Sequence, residues 1–223
     1  MARITVILDE VINLAQYGNT GEPNPAKAAA LCELAGAGGV ALQMDVSDIT
    51  PRYERTVKSV KDVLGIPLAL IMPAHEKAVE KTIELSPNMA VLNDYIDNDD
   101  NYITRLQIAN IVTAVKVLPE IAYVKTAAKR KADYIAIDTT SFCEEKSLSI
   151  RVDILNNISK AAALAERLSM GVIAAGPLTL ADIDKLARVE QIEDFFIGHE
   201  LISKAVLFGF EKAIAVVRDE IGG

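Results

Sequence analysis

The chain has 223 residues, of which 51% are hydrophobic, and a formal net charge of −8. This length fits one domain over residues 1–223, with enough apolar residues to fill a sizeable core. An acidic chain is a poor partner for nucleic acid or an anionic membrane surface, although a local site can still bind an anion.

No apolar run reaches membrane-spanning length, and the first strand follows the initial methionine without a leader-like segment. The two cysteines, Cys32 and Cys143, fit no metal-binding motif and are typical of free thiols in a reducing compartment. We therefore expect a cytoplasmic protein whose partner is a small molecule, and neither nucleic acid nor a membrane.

Short apolar runs alternate with helical periodicity along the whole chain, as is typical of repeated βα units. Strands are predicted at Arg3–Leu8, Val40–Gln43, Pro67–Ile71, Met89–Leu92, Ile111–Val117, Tyr134–Ile137, Val172–Ala174 and Phe195–Ile197. Helices are predicted at Pro25–Gly36, Pro51–Leu64, Glu76–Leu85, Ile103–Asn110, Glu120–Lys131, Ser149–Ser169, Leu180–Arg188 and Leu201–Ile221. Eight such units favour an α/β fold of the closed (β/α)8 type, a TIM barrel, over an open doubly wound sheet.

The loops contain no dinucleotide-binding motif. Asp9 and Glu10 follow the first strand, where an open sheet would carry GxGxxG. The glycine-rich segment Gly36–Gly39 precedes a strand and predicts a helix-to-strand turn. We therefore expect no cofactor, and we expect the acidic segment Asp94–Asp100 to be a solvated loop.

The last predicted strand ends at Gly198-His199 and passes directly into a helix. Glycine lets a ligand approach the backbone, and the free N–H groups of a helix start favour an anion. This pattern predicts a phosphate or oxyanion site at Gly198-His199. The alternative is a tight turn with a capping histidine.

Four polar residues follow other predicted strands, where side chains point into the C-terminal mouth of a barrel. They are Asp9, Gln43, Asp45 and Asp138. Carboxylates suit acid–base chemistry or hard cations, but their spacing carries no metal signature, so we predict no metal site. A solvated acidic rim is the alternative, and Asp138 has the further alternative of capping the loop after its strand.

Two more residues carry competing interpretations. Lys116 interrupts an apolar strand, and a buried lysine is costly unless it is paired or serves as a Schiff-base amine. Its alternative is a strand-end lysine that reaches solvent. His75 immediately precedes a predicted helix, which favours an exposed helix-terminal residue over a functional one.

Three segments resemble the pyridoxine 5′-phosphate synthase family, the barrel enzymes of vitamin B6 synthesis. Phe196–Gly209 is similar to the family's last strand, its Asn-Ile-Gly-His motif and the following helix. Val172–Thr179 is similar to the family's Val-Asn-Ala-Gly-His-Gly-Leu-Thr, and Gly21–Pro25 resembles its Pro-Asp-Pro segment. The resemblance spans about Val6 to Ile221. It implies condensation of 1-deoxyxylulose 5-phosphate with 3-amino-2-oxopropyl phosphate, and a homo-oligomer.

Several cations that the resemblance would place at the mouth are missing. The family's arginines after the first strand fall at Ala15 and Gly18, and the arginine of its His-Leu-Arg falls at Asp45. A histidine shortly after that motif becomes Asp48. Replacing a cation by an anion turns attraction for phosphate into repulsion.

The family's proton-transfer groups are also changed. Its strand-two histidine becomes Gln43, its strand-three glutamate becomes Ile71, and its proton-donating histidine on strand seven becomes Gly176. On strand six, the family's Glu-Ile-His-Thr-Gly appears as Ala136–Thr140. Loss of one general acid or base costs about 10² to 10⁴ in rate, so these losses together should leave little of the family reaction.

The sequence therefore predicts a diverged homologue that binds a small metabolite, with phosphorylated metabolites as first candidates, and lacks the condensation activity. The catalytic candidates are Asp9, Asp45, Asp138 and His199. The ligand-binding candidates are Gly198, His199, Gln43, Thr139 and Gly176. If it is an enzyme, we expect a transferase or lyase. The alternatives are a non-catalytic scaffold, sensor or partner protein, and an active pyridoxine 5′-phosphate synthase.

Overall fold

The structure, a computed structural model, describes residues 2–17, 21–93 and 101–222, apart from the side chain of Asp48. Eight parallel strands close into a barrel in sequence order, β1 to β8, and β8 pairs with β1. The strands are β1 Arg3–Ile7, β2 Gly39–Gln43, β3 Leu68–Met72, β4 Met89–Leu92, β5 Val112–Val117, β6 Tyr134–Asp138, β7 Gly171–Ala175 and β8 Asp194–Ile197. The predicted (β/α)8 barrel is confirmed. The predicted loop Asp94–Asp100 lies outside the described residues.

Helices surround the barrel. They are α1 Asp9–Tyr17, α2 Pro25–Leu34, α3 Pro51–Val63, α4 Glu76–Leu85, α5 Tyr102–Ile108, α6 Ile121–Lys129, α7 Thr140–Glu144, α8 Leu148–Arg167, α9 Leu180–Leu186, α10 His199–Phe208 and α11 Phe210–Gly222. A 3-10 turn at Val46–Asp48 precedes α3. The sequence analysis did not predict α1 and α7, which begin two residues after the ends of β1 and β6.

The single helix predicted over Leu201–Ile221 is wrong. Gly209 has φ of 81° and separates α10 from α11, while its N–H still donates to the Ala205 carbonyl at 2.8 Å. A glycine in the left-handed region is a common way to end a helix. Because the apolar periodicity continues past Gly209, the sequence pattern hid this break.

Two side-chain caps set the positions of the helices beside β2. Asn24 Oδ1 accepts the N–H of Ala26 at 2.9 Å at the start of α2. Thr50 Oγ1 accepts the N–H of Tyr53 at 3.2 Å at the start of α3. In both helices proline occupies the first position, as predicted, where its missing N–H costs nothing.

The core has two parts, one between the strands and the helices and one inside the barrel. The interior is filled by alternate residues of the strands, which in a barrel stack in layers. Its buried members are Ala41, Ala69, Ile71, Val91, Ala114, Ala136, Ile173 and Phe196. Within the described part of the chain, no helix has both the length and the apolar character that a membrane crossing requires.

Candidate functional site

Lys116 on β5 and Asp138 on β6 form an ion pair at the C-terminal end of the barrel. The Lys116 Nζ atom lies 3.0 Å from Asp138 Oδ2, and the aspartate is 8% exposed. The register pairs Lys116 with Ala136, so Asp138, two residues further on, faces the same side. Lys116 is therefore paired, and it also has the features of the alternative interpretation, because it lies next to the end of β5 and its side chain is 27% exposed.

The neighbours of Asp138 keep it ionised. Burial by itself raises the pKa of Asp138, but hydrogen bonds from Thr140 and the ammonium of Lys116 outweigh burial and hold this pKa below its ordinary value of 3.8. The N–H of Thr140 donates to Asp138 Oδ1 at 2.9 Å, so the aspartate also caps the turn that follows its strand. At neutral pH this group is a carboxylate and cannot donate a proton as a general acid.

Thr139 and Gly176 lie side by side where β6 and β7 end. The buried Thr139 donates from Oγ1 to the Ala175 carbonyl at 3.1 Å, and its backbone N–H donates to the same carbonyl at 3.0 Å. A Cβ on Gly176 would overlap the Thr139 hydroxyl. Glycine is therefore required here by packing, so its position does not by itself indicate a ligand.

Asp9 and Gln43 meet at the ends of β1 and β2. The N–H of Gln43 donates to Asp9 Oδ1 at 2.8 Å, and the Gln43 carbonyl accepts the Tyr53 hydroxyl at 2.9 Å. Asp45, two residues after Gln43, is exposed, and its Oδ1 accepts the N–H of Val46 at 2.6 Å. The described contacts bring Asp9 and Gln43 together.

A cavity of about 740 Å³ opens beside Asp9 and Gln43. It lies between α1, the start of α2 and the inner face of α3, and its described lining includes the side chains of Arg52 and Arg55. The sequence analysis missed both arginines because exposed helix positions carry no periodic signal. The available indication was that the two arginines are three residues apart, and therefore on one helix face, shortly after the loop that follows the predicted second strand.

The Gly198-His199 turn has a less favourable environment for an anion than its sequence suggests. The His199 side chain is 85% exposed, with Nδ1 3.7 Å from Glu10 Oε1 and Nε2 3.4 Å from Ser203 Oγ. Glu10 Oε2 is buried, has no hydrogen-bond partner among the described residues, and lies 3.8 Å from where a Cβ on Gly198 would be. A carboxylate at this distance opposes a bound anion. The phosphate site at this turn stays a prediction.

The remaining histidine, His75, caps a helix. His75 is the N-cap of α4, and its Nδ1 accepts the N–H of Lys77 at 3.2 Å, in line with the predicted helix-terminal position. Among the residues that the structure describes, no three His, Cys, Asp or Glu side chains come together in a way that could hold a metal ion.

A family model and two similar proteins of known name point to the same family. The profile described as "Pyridoxal phosphate biosynthesis protein PdxJ" matches residues 93–222. The pyridoxine 5′-phosphate synthase of Geotalea daltonii is 30% identical, over 96% of each sequence. That of Syntrophotalea carbinolica is 31% identical, over 100% of each sequence.

Solved structures share the fold at much lower sequence identity. KGPDC from Streptococcus mutans has a TM-score of 0.68 at 11% identity, covering 100% of this chain and 98% of that chain. Thiamine phosphate pyrophosphorylase from Pyrococcus furiosus has a TM-score of 0.67 at 15% identity, covering 98% and 96%. These two likenesses concern the barrel alone.

Proposed function

Because the chain belongs to the pyridoxine 5′-phosphate synthase family, we propose that it binds a small phosphorylated metabolite at the barrel mouth without the family's condensation activity. The observation that carries this proposal is the cavity beside Asp9 and Gln43. Its volume of about 740 Å³ falls in the range typical of small-molecule sites. It adjoins the C-terminal ends of β1 and β2, the end of a barrel where active sites lie.

The proposal excludes the condensation because proton transfer at neutral pH needs groups that titrate near neutral pH. The positions of the family's base, glutamate and acid hold Gln43, Ile71 and Gly176, none of which titrates. Asp138 is held as a carboxylate by Lys116. No described group therefore replaces the missing acid and base at those positions.

In the proposed complex, Asp9 and Gln43 contact the ligand from the strand ends. The Lys116–Asp138 pair lies across the mouth from them, at the ends of β5 and β6. Thr139 and Gly176 shape the wall beyond that pair, and the exposed His199 lies at the rim.

The test is a thermal-unfolding screen with pyridoxine 5′-phosphate and related phosphate esters. A ligand at 100 times its Kd stabilises the folded state by about 2.7 kcal/mol, which for a chain of this size raises Tm by about 5–10 °C. Gln43→Glu adds a negative charge to the cavity and should abolish the rise. Asn157→Asp makes the same change on an exposed position of α8 and should keep it.

The second arm of this test supplies both family substrates to the purified protein. We expect pyridoxine 5′-phosphate to form at least about 10⁴-fold more slowly than with the Geotalea daltonii relative assayed in parallel. Comparable rates would show an active synthase. The absence of a Tm rise with every ester would overturn the binding proposal and favour a non-catalytic scaffold.

A further inference from the structure

We infer that Arg52 and Arg55 of α3 bind the phosphate of this ligand inside the cavity between α1 and α3. The inference rests on the proposed function but goes further, because it assigns the phosphate to two arginines of a helix. It also places the phosphate away from the Gly198-His199 turn.

The first argument is local charge. The described lining of the cavity carries two cations, Arg52 and Arg55, against one carboxylate, Asp9, whereas the whole chain has a net charge of −8. The Asp9 carboxylate already accepts the N–H of Gln43. A concave, locally cationic surface on an acidic protein attracts an anion to that surface in preference to the rest of the molecule.

The second argument is the geometry of the guanidinium groups. Arg52 and Arg55 lie three residues apart on α3, so their side chains are neighbours on one helix face. Arg52 Nη2 donates to the Ala15 carbonyl on α1 at 3.2 Å, which holds its side chain against the opposite wall and leaves its other N–H donors for a ligand. Two such forks match the oxygens of a phosphate monoester.

The state of Arg55 is the third argument. Among the described residues, Arg55 makes no ion pair or hydrogen bond, although it lines the cavity. Thr56 and Ser59 line the same helix face and add hydroxyl groups. The Thr56 hydroxyl already donates its proton to the Arg52 carbonyl at 3.1 Å, so it can only accept a further hydrogen bond. An anion needs donors, and of these two hydroxyl groups Ser59 is therefore the one that can contact it.

The surroundings of the two candidate anion sites differ in charge. Arg52 reaches the backbone of Ala15 from α3 and supplies a cation beside the cavity. Beside Gly198, the Oε2 atom of Glu10 is buried without a hydrogen-bond partner among the described residues, and the negative charge of this carboxylate opposes a phosphate.

The experiment is calorimetric titration with pyridoxine 5′-phosphate, with pyridoxine as its uncharged counterpart. The wild type should bind the phosphate ester at least tenfold more tightly than pyridoxine, and inorganic phosphate should compete. Arg52→Gln and Arg55→Gln should each weaken the ester by at least tenfold and leave pyridoxine unchanged. Lys58→Gln is the matched control, because Lys58 is an exposed cation of the same helix outside the cavity lining.

The outcomes separate this inference from the proposed function. If the wild type binds the ester and both arginine variants retain its affinity, while His199→Ala weakens it, the inference is overturned and the proposed function stands. An equal loss in Lys58→Gln would reduce the effect to general surface charge and would also overturn the inference. If the wild type binds no phosphate ester, both fail. Circular dichroism of the variants checks that each is folded.

Discussion

Each end of the barrel contains one buried aspartate, and the pKa values of these two carboxyl groups are shifted in opposite directions. Asp138 lies at the C-terminal end of β6, and Asp194 begins β8 at the other end, on the same strand face as Phe196 in the interior. The pKa of Asp138 is lowered, whereas burial raises the pKa of Asp194 to about 6. The two aspartates are similarly inaccessible, at 8% and 3% exposure.

The difference comes from what faces each carboxylate. Asp138 has an ammonium at 3.0 Å and the N–H of Thr140 at 2.9 Å. Asp194 has the half-exposed guanidinium of Arg3 at 3.3 Å and the Thr5 hydroxyl at 3.0 Å, and these do not outweigh burial. Burial therefore does not set the direction of a pKa shift by itself. At neutral pH Asp138 is a carboxylate that its neighbours stabilise at the mouth, whereas ionisation of Asp194 at the opposite end lowers the stability of the fold.

The largest expected effect tests the Asp194 end. Because the pKa of Asp194 is higher in the folded state (about 6) than its ordinary 3.8, its stabilising contribution is complete below pH 3.8 and is lost as pH rises through 6. The difference between the two pKa values corresponds to about 3 kcal/mol of folding free energy. Relative to Asp194→Asn, the wild type should therefore lose about 2.5 kcal/mol of unfolding free energy between pH 4 and pH 8 in urea titrations, because part of the contribution is already lost at pH 4.

Asp62→Asn, a change at an exposed position of α3, is the control for this pH series. If wild type and Asp194→Asn keep the same difference at every pH, the proposed contrast between the two ends is wrong.

A smaller effect is expected at the mouth. Lys116→Met leaves the Asp138 carboxylate buried without its cation and should cost about 2 kcal/mol at pH 7, less than a fully buried pair because Lys116 is partly exposed. The double variant Lys116→Met/Asp138→Asn should recover more than half of this loss. A double variant as unstable as Lys116→Met would show that the charge of Asp138 was not the cause.

The sign of the pH dependence at the mouth is opposite to that at Asp194. Because the folded-state pKa of Asp138 is lowered, its contribution is present above pH 3.8 and is lost as pH falls below that value. The cost of Lys116→Met should therefore shrink in acid, when urea unfolding is repeated there.

The smallest effect compares two glycines of the mouth. A Cβ on Gly176 overlaps the buried Thr139 hydroxyl, so Gly176→Ala should cost about 1–2 kcal/mol. A Cβ on Gly198 meets Ile7 at 3.4 Å, an ordinary contact, so Gly198→Ala should cost less than about 0.5 kcal/mol. Thermal unfolding of both variants measures the difference. Equal costs would show that the residues around Thr139, where β6 and β7 end, adapt to the added methyl group.

Much of the barrel was predictable because its signals are local. Apolar runs marked all eight strands to within one or two residues, and the caps at Asn24 and Thr50 marked two helix starts. The resemblance at Phe196–Gly209 indicated the family that the comparisons establish. The helix break at Gly209 was missed, because a positive φ leaves no mark on the apolar period.

The sequence by itself determined the number and order of the βα units and the family, whereas the loss of the family's acid and base stays a prediction. Only the tertiary structure decided which polar residues meet: Asp9 with Gln43 across 34 positions, Asp194 with Thr5 across 189, and Lys116 with Asp138. The physical reason is that secondary structure depends on neighbours along the chain. Charge, burial and cavity shape depend on neighbours in space, which closure of the barrel brings together.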